Sequence, residues 1–226
     1  MVKIALISEG ITDQLIIKPI VENYFKDIDF KFRPITPITD ETDKQIGFGS
    51  WTNVINSCRE ENFEEIFIYN DLVIIQIDTD VAHLKGFDVA AVQKGKTIEN
   101  EDLCSKTIKK LQNIIPEKVF EKYAERFIFA IGILTIECWL LPILNPKQVK
   151  KETNNCLFKL NKSLLKKNKE KINPDNKNNS LGKSIYKELA GKFKNKSIIE
   201  KYSKYNIGFE VFVNQLDKIR IENYSN

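Results

Sequence analysis

"DLVIIQIDTD" (71–80) is an apolar stretch that ends abruptly in two aspartates, Asp78 and Asp80. Its apolar residues occupy both alternating sets of positions. This predicts a strand over 71–78 that is buried on both faces and is therefore central in a parallel sheet. In an extended backbone residues i and i+2 point the same way, so we expect the two carboxylates to lie together. Each aspartate could cap a following helix, and the pair could instead bind one or two metal ions.

The start of the chain shows the same arrangement of an apolar run that ends in an acid. "KIALISEG" (3–10) predicts a buried strand that ends at Glu9 and a glycine. Residues 12–25 follow with apolar side chains at helical spacing, and Thr12 or Asp13 can cap this helix. A strand, a turn and a helix in this order are typical of the opening of an α/β unit.

The rest of the chain continues with strands and helices and then becomes mostly helical. Two prolines indicate that the second strand, 30–38, is irregular or lies at an edge, and Pro116 predicts a break in the helical pattern of 100–125. We therefore expect an α/β fold, with a mostly parallel sheet flanked by helices and a helical C-terminal extension. The other predicted elements are a helix from Ser50 to Asn62, a strand over 127–133, a short helix from Thr135 that stops near Pro142, and helices over 180–192, 196–204 and 207–219.

Charge divides the 226-residue chain into two unlike parts. Residues 147–226 contain 19 Lys and Arg against 8 Asp and Glu, whereas residues 1–146 contain 16 against 23. We take 1–146 as an α/β catalytic domain and 147–226 as a basic, mostly helical extension. An acidic first part suits a cation site, and a basic second part suits a polyanion such as nucleic acid. The alternative is that lysine serves only to keep the surface soluble.

The cysteines and the apolar segments exclude several other classes of protein. Cys58, Cys104, Cys138 and Cys156 are scattered and form no CxxC pair, which argues against a zinc site. The first residues resemble a strand more than a signal peptide, so we expect a cytoplasmic protein with reduced thiols. No apolar run is long enough for a transmembrane helix, and no membrane partner is expected.

Three carboxylates are predicted to meet at one edge of the sheet. Glu9 ends the first strand, and Asp78 and Asp80 end the central one. Ligands of an open parallel sheet bind outside the carboxyl ends of its strands, and a hard divalent cation would relieve the repulsion between these acids. Glu137 is a further candidate, because it is the only acid in the apolar stretch 127–144 and must find a partner or a metal ion if buried. It could instead lie on an exposed face or pair with a lysine.

The motifs around these acids resemble those of Toprim domains. "ISEGITDQLIIKPI" is similar to the first Toprim motif, in which an apolar strand ends in Glu-Gly, and "VIIQIDTD" is similar to the second, which ends in Asp-x-Asp. The resemblance covers about residues 1–140, and Glu9, Gly10, Asp78 and Asp80 carry it. The 68 residues between Glu9 and Asp78 exceed the spacing of compact Toprim domains, and the excess fits an insertion over residues 30–53.

This resemblance implies a metal-dependent nuclease that hydrolyses phosphodiester bonds in DNA or RNA with Mg²⁺ or Mn²⁺. Stand-alone relatives of the overcoming-lysogenization-defect type occur in bacterial immunity loci, which implies a role in defence against phage or mobile elements. In such nucleases a further acid completes a two-metal site, and Glu137 resembles that position. The alternatives are an inactive Toprim-like module that binds a partner such as an ATPase, and a structural α/β protein without a site.

Overall fold

The computed structural model describes residues 1–40, 45–47, 49–90, 92–93, 96–146 and 154–224. Its centre is a four-stranded sheet in the order β2-β1-β3-β4, in which every neighbouring pair is parallel. The predicted α/β class and mostly parallel sheet are therefore confirmed, and the proline-bearing second strand does lie at an edge. The strands are β1 (Val2–Ile7), β2 (Phe30–Thr36), β3 (Leu72–Asp78) and β4 (Phe127–Gly132).

Helices flank the sheet and make up most of the C-terminal part. The pattern over 100–125 is broken at Pro116 as predicted, whereas Pro142 lies in the first turn of a helix instead of ending one. Proline is tolerated there because a first-turn N–H has no partner within the helix. The helices are α1 (Ile11–Tyr24), α2 (Trp51–Arg59), α3 (Ile66–Tyr69), α4 (Asn100–Ile114), α5 (Glu117–Tyr123), α6 (Leu141–Leu144), α7 (Cys156–Lys166), α8 (Ser180–Ala190), α9 (Lys196–Ser203) and α10 (Ile207–Lys218).

Two-residue strands and turns of 3₁₀ helix are the remaining regular elements of the described residues. Two-residue strands pair Ile38–Thr39 with Gln45–Ile46 and Val92–Gln93 with Lys96–Thr97. Turns of 3₁₀ helix occur at Phe63–Glu65, Ala124–Arg126, Ile136–Trp139, Pro174–Asn176 and Ile221–Tyr224.

Hydrophobic cores lie on both faces of the sheet, which explains why β3 and β4 are apolar on both faces apart from Gln76 and Asp78. Alternate residues of β1 enter the two cores, with Ile4 and Leu6 on one side and Ala5 and Ile7 on the other. Helices α1, α8, α9 and α10 contribute to the first core, and α2, α4 and α5 to the second. The helical part after residue 154 therefore shares a core with the sheet. Among the described residues, no helix combines the length and apolar character needed to cross a bilayer.

A disulfide links the sheet's last turn to the C-terminal helices. Cys138 and Cys156 are bonded, whereas Cys58 and Cys104 are free and buried. The expectation of reduced thiols is therefore wrong for two of the four cysteines, because the fold brings together residues 18 positions apart. The ring of Trp139 stacks on Phe209 of α10 with centroids 4.6 Å apart, so this turn is fixed from both sides.

Candidate active site

The carboxyl ends of β1 and β3 bring Glu9 and Asp78 together. The two strands are neighbours in the sheet, with Ile7 opposite Ile75, so their ends lie side by side as the sequence predicts. The Asp78 N–H donates to Oε1 of Glu9 at 2.6 Å. A carboxylate from one strand end thus accepts a hydrogen bond from the end of the next, which fixes the position of both acids.

Gln76 connects the same two residues through its side chain. It is fully buried in β3, where its Oε1 accepts the Glu9 N–H at 3.0 Å and its Nε2 donates to Oδ1 of Asp78 at 3.0 Å. The N–H of Ile136 donates to the same Oδ1 at 3.0 Å. Sequence analysis did not single out Gln76, although a lone amide in an otherwise apolar strand is a signal that it needs polar partners.

Two glycines allow the backbone to approach these acids closely. Gly132 lies opposite Asp78 in β4, and a Cβ at this position would be 2.1 Å from Oδ1 of Asp78. A Cβ at Gly49 would be 1.9 Å from the carbonyl oxygen of Glu9. Any side chain at either position would therefore displace a strand-end acid or the backbone that carries it.

Asp13 lies in the first turn of α1 and serves as a cap while also facing the site. Its Oδ2 accepts the Gly10 N–H at 2.7 Å, and its side chain is buried. It also lines a cavity of about 330 Å³ together with Glu9, Asp78 and Lys177. Asp13 therefore both caps α1 and lines the cavity.

Glu137 is buried in the 3₁₀ turn that follows β4, with an exposed fraction of only 1%. Its Oε1 accepts hydrogen bonds from Nζ of Lys177 at 2.6 Å and from the hydroxyl of Tyr186 at 2.7 Å. Its Oε2 is buried and accepts no hydrogen bond from any described residue. Glu137 therefore does not lie on an exposed face; it pairs with a lysine and keeps one oxygen unpartnered.

Lys177 and Tyr186 were missed by sequence analysis. Lys177 follows the turn Pro174–Asn176. A Cβ at Gly182 would be only 2.2 Å from the carbonyl oxygen of Lys177. The close approach of α8 thus fixes the backbone of Lys177 beside the carboxylates. In a lysine-rich stretch no local signal distinguishes this lysine from its neighbours.

Asp80 takes a different position from the one that the strand pattern predicts. β3 ends at Asp78, and the chain turns at Thr79, so the i and i+2 alternation stops before Asp80. The Asp80 N–H donates to the carbonyl of Leu134, and its side chain is exposed and does not line the cavity. Partial desolvation still raises the pKa of Asp80, with Glu137 adding to the shift and Lys177 opposing it.

The strand-end acids have raised pKa values because they are buried together. Burial is the main cause at Glu9, where the pKa rises to about 8, and Asp13 and Asp80 add repulsion. Burial and the charge of Glu137 raise the pKa of Asp13 to about 7. The pKa of Asp78 lies well above its ordinary value, again through burial first and then through Glu9 and Asp13. Ionising the whole cluster is therefore costly without a further cation.

Glu137 shows the opposite shift within the same cluster. Burial acts to raise its pKa, but the charge of Lys177 and the hydrogen bonds from Lys177 and Tyr186 outweigh burial and lower it. Burial likewise acts to lower the pKa of Lys177, and the attraction of Glu137 raises it overall. Glu137 and Lys177 thus form an ionised pair inside the cluster.

The donor set suits a hard divalent cation such as Mg²⁺ or Mn²⁺, which prefers carboxylate oxygens. Glu9, Asp78 and Glu137 each keep one carboxylate oxygen that accepts no hydrogen bond from the described residues. As these side chains stand, no three acid, histidine or cysteine groups of the described ranges are grouped closely enough to hold a metal ion. The residue types are those that bind a divalent metal ion. In this arrangement of the side chains, the ammonium group of Lys177 is the cation that contacts them, through Glu137.

Comparisons with models of protein families, with curated proteins and with solved structures found no match to this chain. The fold and the geometry of the acids are therefore the basis for the functional argument.

Proposed function

We propose that this protein is a Mg²⁺- or Mn²⁺-dependent nuclease that hydrolyses phosphodiester bonds in DNA or RNA. The observation that carries the proposal is the group of carboxylates at the carboxyl ends of β1 and β3, where Glu9 and Asp78 line a cavity and Glu137 keeps a buried oxygen without a partner among the described residues. Acids kept only for structure would be expected to have all their buried oxygens paired. The resemblance of the Glu9 and Asp78 motifs to Toprim domains supports the same function, including a role in defence.

The chain's own residues would position the ligands and carry their charge. Glu9 and Asp78 would hold the metal, with Glu137 completing its surroundings and Asp13 beside them, while the exposed Asp80 adds negative charge from outside the cavity. Gln76 and the Ile136 N–H orient Asp78 through its Oδ1 and leave the other oxygen available. A bound divalent cation would polarise the scissile phosphate, activate water and stabilise the leaving oxygen.

The charge of the cavity explains why a cation would be needed. Its described lining includes the acids Glu9, Asp13, Asp78 and Asp175 and a single basic residue, Lys177. When these acids are ionised, their excess of negative charge would repel a phosphodiester unless metal ions offset it. The basic C-terminal part supports nucleic acid as substrate, although ion pairs with Glu188 and Asp217 engage several of its lysines.

The test is cleavage of labelled single- and double-stranded DNA and RNA with Mg²⁺ or Mn²⁺, with EDTA as the blank. Asp78→Asn keeps the shape and the acceptor of Asp78 but removes its charge, so we expect at least a 100-fold loss of rate. Asp102→Asn removes an exposed aspartate of α4 and should cleave like the unmodified protein. The proposal fails if the unmodified protein cleaves none of these substrates with either metal.

One observation favours a second function, that of an inactive module which binds a partner such as an ATPase. The ammonium group of Lys177 already neutralises Glu137, as expected of a site that has lost its metal. Calorimetry with Mn²⁺ separates the two functions. A nuclease should bind Mn²⁺ in a manner that Asp78→Asn abolishes, whereas the inactive module should bind none and should retain its partner without metal.

A further inference from the structure

A cationic groove lies at the end of the sheet opposite to the carboxylates. It has a volume of about 480 Å³ and lies along the first half of β1 and β2, beside the end of α3. No acid lines it within the described residues. The lining residues are Lys3, Lys31, Phe32, Arg33, Pro34, Tyr69 and Asn70.

The strand register places three positive charges on one face. Lys3 lies opposite Lys31, and Ala5 lies opposite Arg33, so Lys3, Lys31 and Arg33 all project from the same side of the β1–β2 pair. All three side chains are exposed, and none forms an ion pair with a described residue. Asp71 is adjacent in sequence to Asn70, a lining residue of the groove. Its Oδ2 accepts a hydrogen bond from the backbone N–H of Lys3 at 2.7 Å and not from the Lys3 side chain.

This arrangement carries an electrostatic cost that an anion would remove. Like charges directly opposite each other on neighbouring strands repel, and Lys3 with Lys31 is such a pair. Lys31 and Arg33 are two residues apart along an edge strand, which gives a row of cations instead of a single point. A row of this kind suits a ligand with repeating negative groups better than an isolated phosphate.

An aromatic ring at the side of the groove narrows the class of ligand. The guanidinium of Arg33 lies 5.5 Å from the centre of the Tyr69 ring, and Tyr69 is 61% exposed although it is large and aromatic. Flat aromatic and guanidinium groups are the surfaces on which unpaired bases stack. Cations in a row beside such a surface are the features of a site for single-stranded nucleic acid.

We propose that this groove binds the backbone of single-stranded DNA or RNA, with Lys3, Lys31 and Arg33 contacting phosphates and Tyr69 stacking on a base. The inference builds on the proposed function, since it identifies a second contact for the same class of substrate. Lys3 and Glu9 are six positions apart in a nearly extended chain, which corresponds to about 20 Å. One strand several nucleotides long would therefore reach from the groove to the carboxylates.

The experiment measures binding of a fluorescent 12-nucleotide single strand, DNA or RNA, by anisotropy in EDTA, so that cleavage does not interfere. We expect Lys31→Glu with Arg33→Glu to weaken binding at least tenfold and to make its dependence on salt less steep. Tyr69→Ala should weaken it on the order of tenfold, and Tyr69→Phe should not. Lys109→Glu with Lys118→Glu makes the same change of charge on exposed lysines of α4 and α5 and should have less than a threefold effect.

The outcomes separate this inference from the proposed nuclease. It is overturned if the groove variant and the control variant lose affinity equally, or if neither changes it. Binding that depends on Lys31 and Arg33 but not on Tyr69, and that anionic vesicles compete for, would indicate an acidic membrane or protein surface and would also overturn it. Asp78→Asn should bind the strand normally, and the groove variant should bind Mn²⁺ normally, so either proposal can fail alone.

Discussion

The acids at the strand ends and the acid of the turn after β4 lie in one cluster but are stabilised in different ways. Backbone and amide N–H groups hold Glu9 and Asp78, and burial raises their pKa values. Lys177 and Tyr186 hold Glu137, and its pKa is lowered. The difference teaches that the one cation from the C-terminal part pairs directly with Glu137 and only partly offsets the shifts at Glu9 and Asp78. The strand-end acids are left with a demand for a cation that the protein itself does not meet.

Removing Lys177 should have the largest effect on stability. Lys177→Met leaves Glu137 buried without its ionic partner, which we expect to lower the free energy of unfolding at pH 7 by about 3–5 kcal/mol. Urea denaturation in EDTA measures this change. Lys171→Met alters an exposed lysine of the same segment and should change stability by less than about 0.5 kcal/mol.

A second substitution tests the reason for that loss. Adding Glu137→Gln to Lys177→Met removes the unpaired charge, so the double variant should recover much of the stability. If the double variant is no more stable than Lys177→Met alone, the ion pair is not what separates Glu137 from the strand-end acids.

Gly132→Ala should disturb the strand-end acids, because Gly132 packs directly against Asp78. The added Cβ would overlap Oδ1 of Asp78 and also lie 2.8 Å from the Ile136 nitrogen, and such overpacking costs about 3 kcal/mol. Gly191→Ala is the matched control, since Gly191 has a helical φ of −63° and its nearest contact is 3.1 Å away. Equal stability of the two variants in a urea titration would argue against close packing around Asp78.

The strand-end acids should also make the metal-free protein less stable as the pH rises. Burial raises the pKa of Glu9 from 4.5 to about 8, so the folded state holds a proton that the unfolded chain releases above pH 4.5. The stability that this proton provides is complete below pH 4.5 and is lost as the pH rises through 8. Because Glu9 keeps some contact with water, we expect a loss of about 2 kcal/mol.

Thermal unfolding in EDTA at several pH values between 4.5 and 8.5 measures this loss. Glu9→Gln should give a flatter profile than the unmodified protein, and Glu121→Gln, which alters an exposed acid of α5, should not change the profile. A profile for Glu9→Gln that is as steep as that of the unmodified protein would show that Glu9 does not hold a proton in the folded state.

The two halves of the cluster differed in how far the sequence could predict them. Glu9 and Asp78 were predictable because two apolar runs ending in acids must meet if they form neighbouring parallel strands. The burial of Glu137 could be anticipated from its isolation among apolar residues. Its partners could not, since Lys177 and Tyr186 are 40 and 49 residues away and have no distinctive local pattern. Asp80 departed from its predicted position because alternation holds only while the chain stays extended.

The smallest expected effect comes from the hydroxyl of Tyr186. Tyr186→Phe removes one hydrogen bond to Glu137 but leaves the ion pair with Lys177, so we expect a loss of about 1.5 kcal/mol at pH 7. Tyr24→Phe removes a tyrosine hydroxyl that donates to Asp217, an exposed carboxylate. We expect this variant to lose less than about 1 kcal/mol of stability, because interactions with exposed charges usually contribute about 0.5 kcal/mol. If the two variants lose equal stability in urea, the buried carboxylate gains no more from its hydroxyl donor than an exposed one does. In that case Lys177 alone distinguishes Glu137 from Glu9 and Asp78.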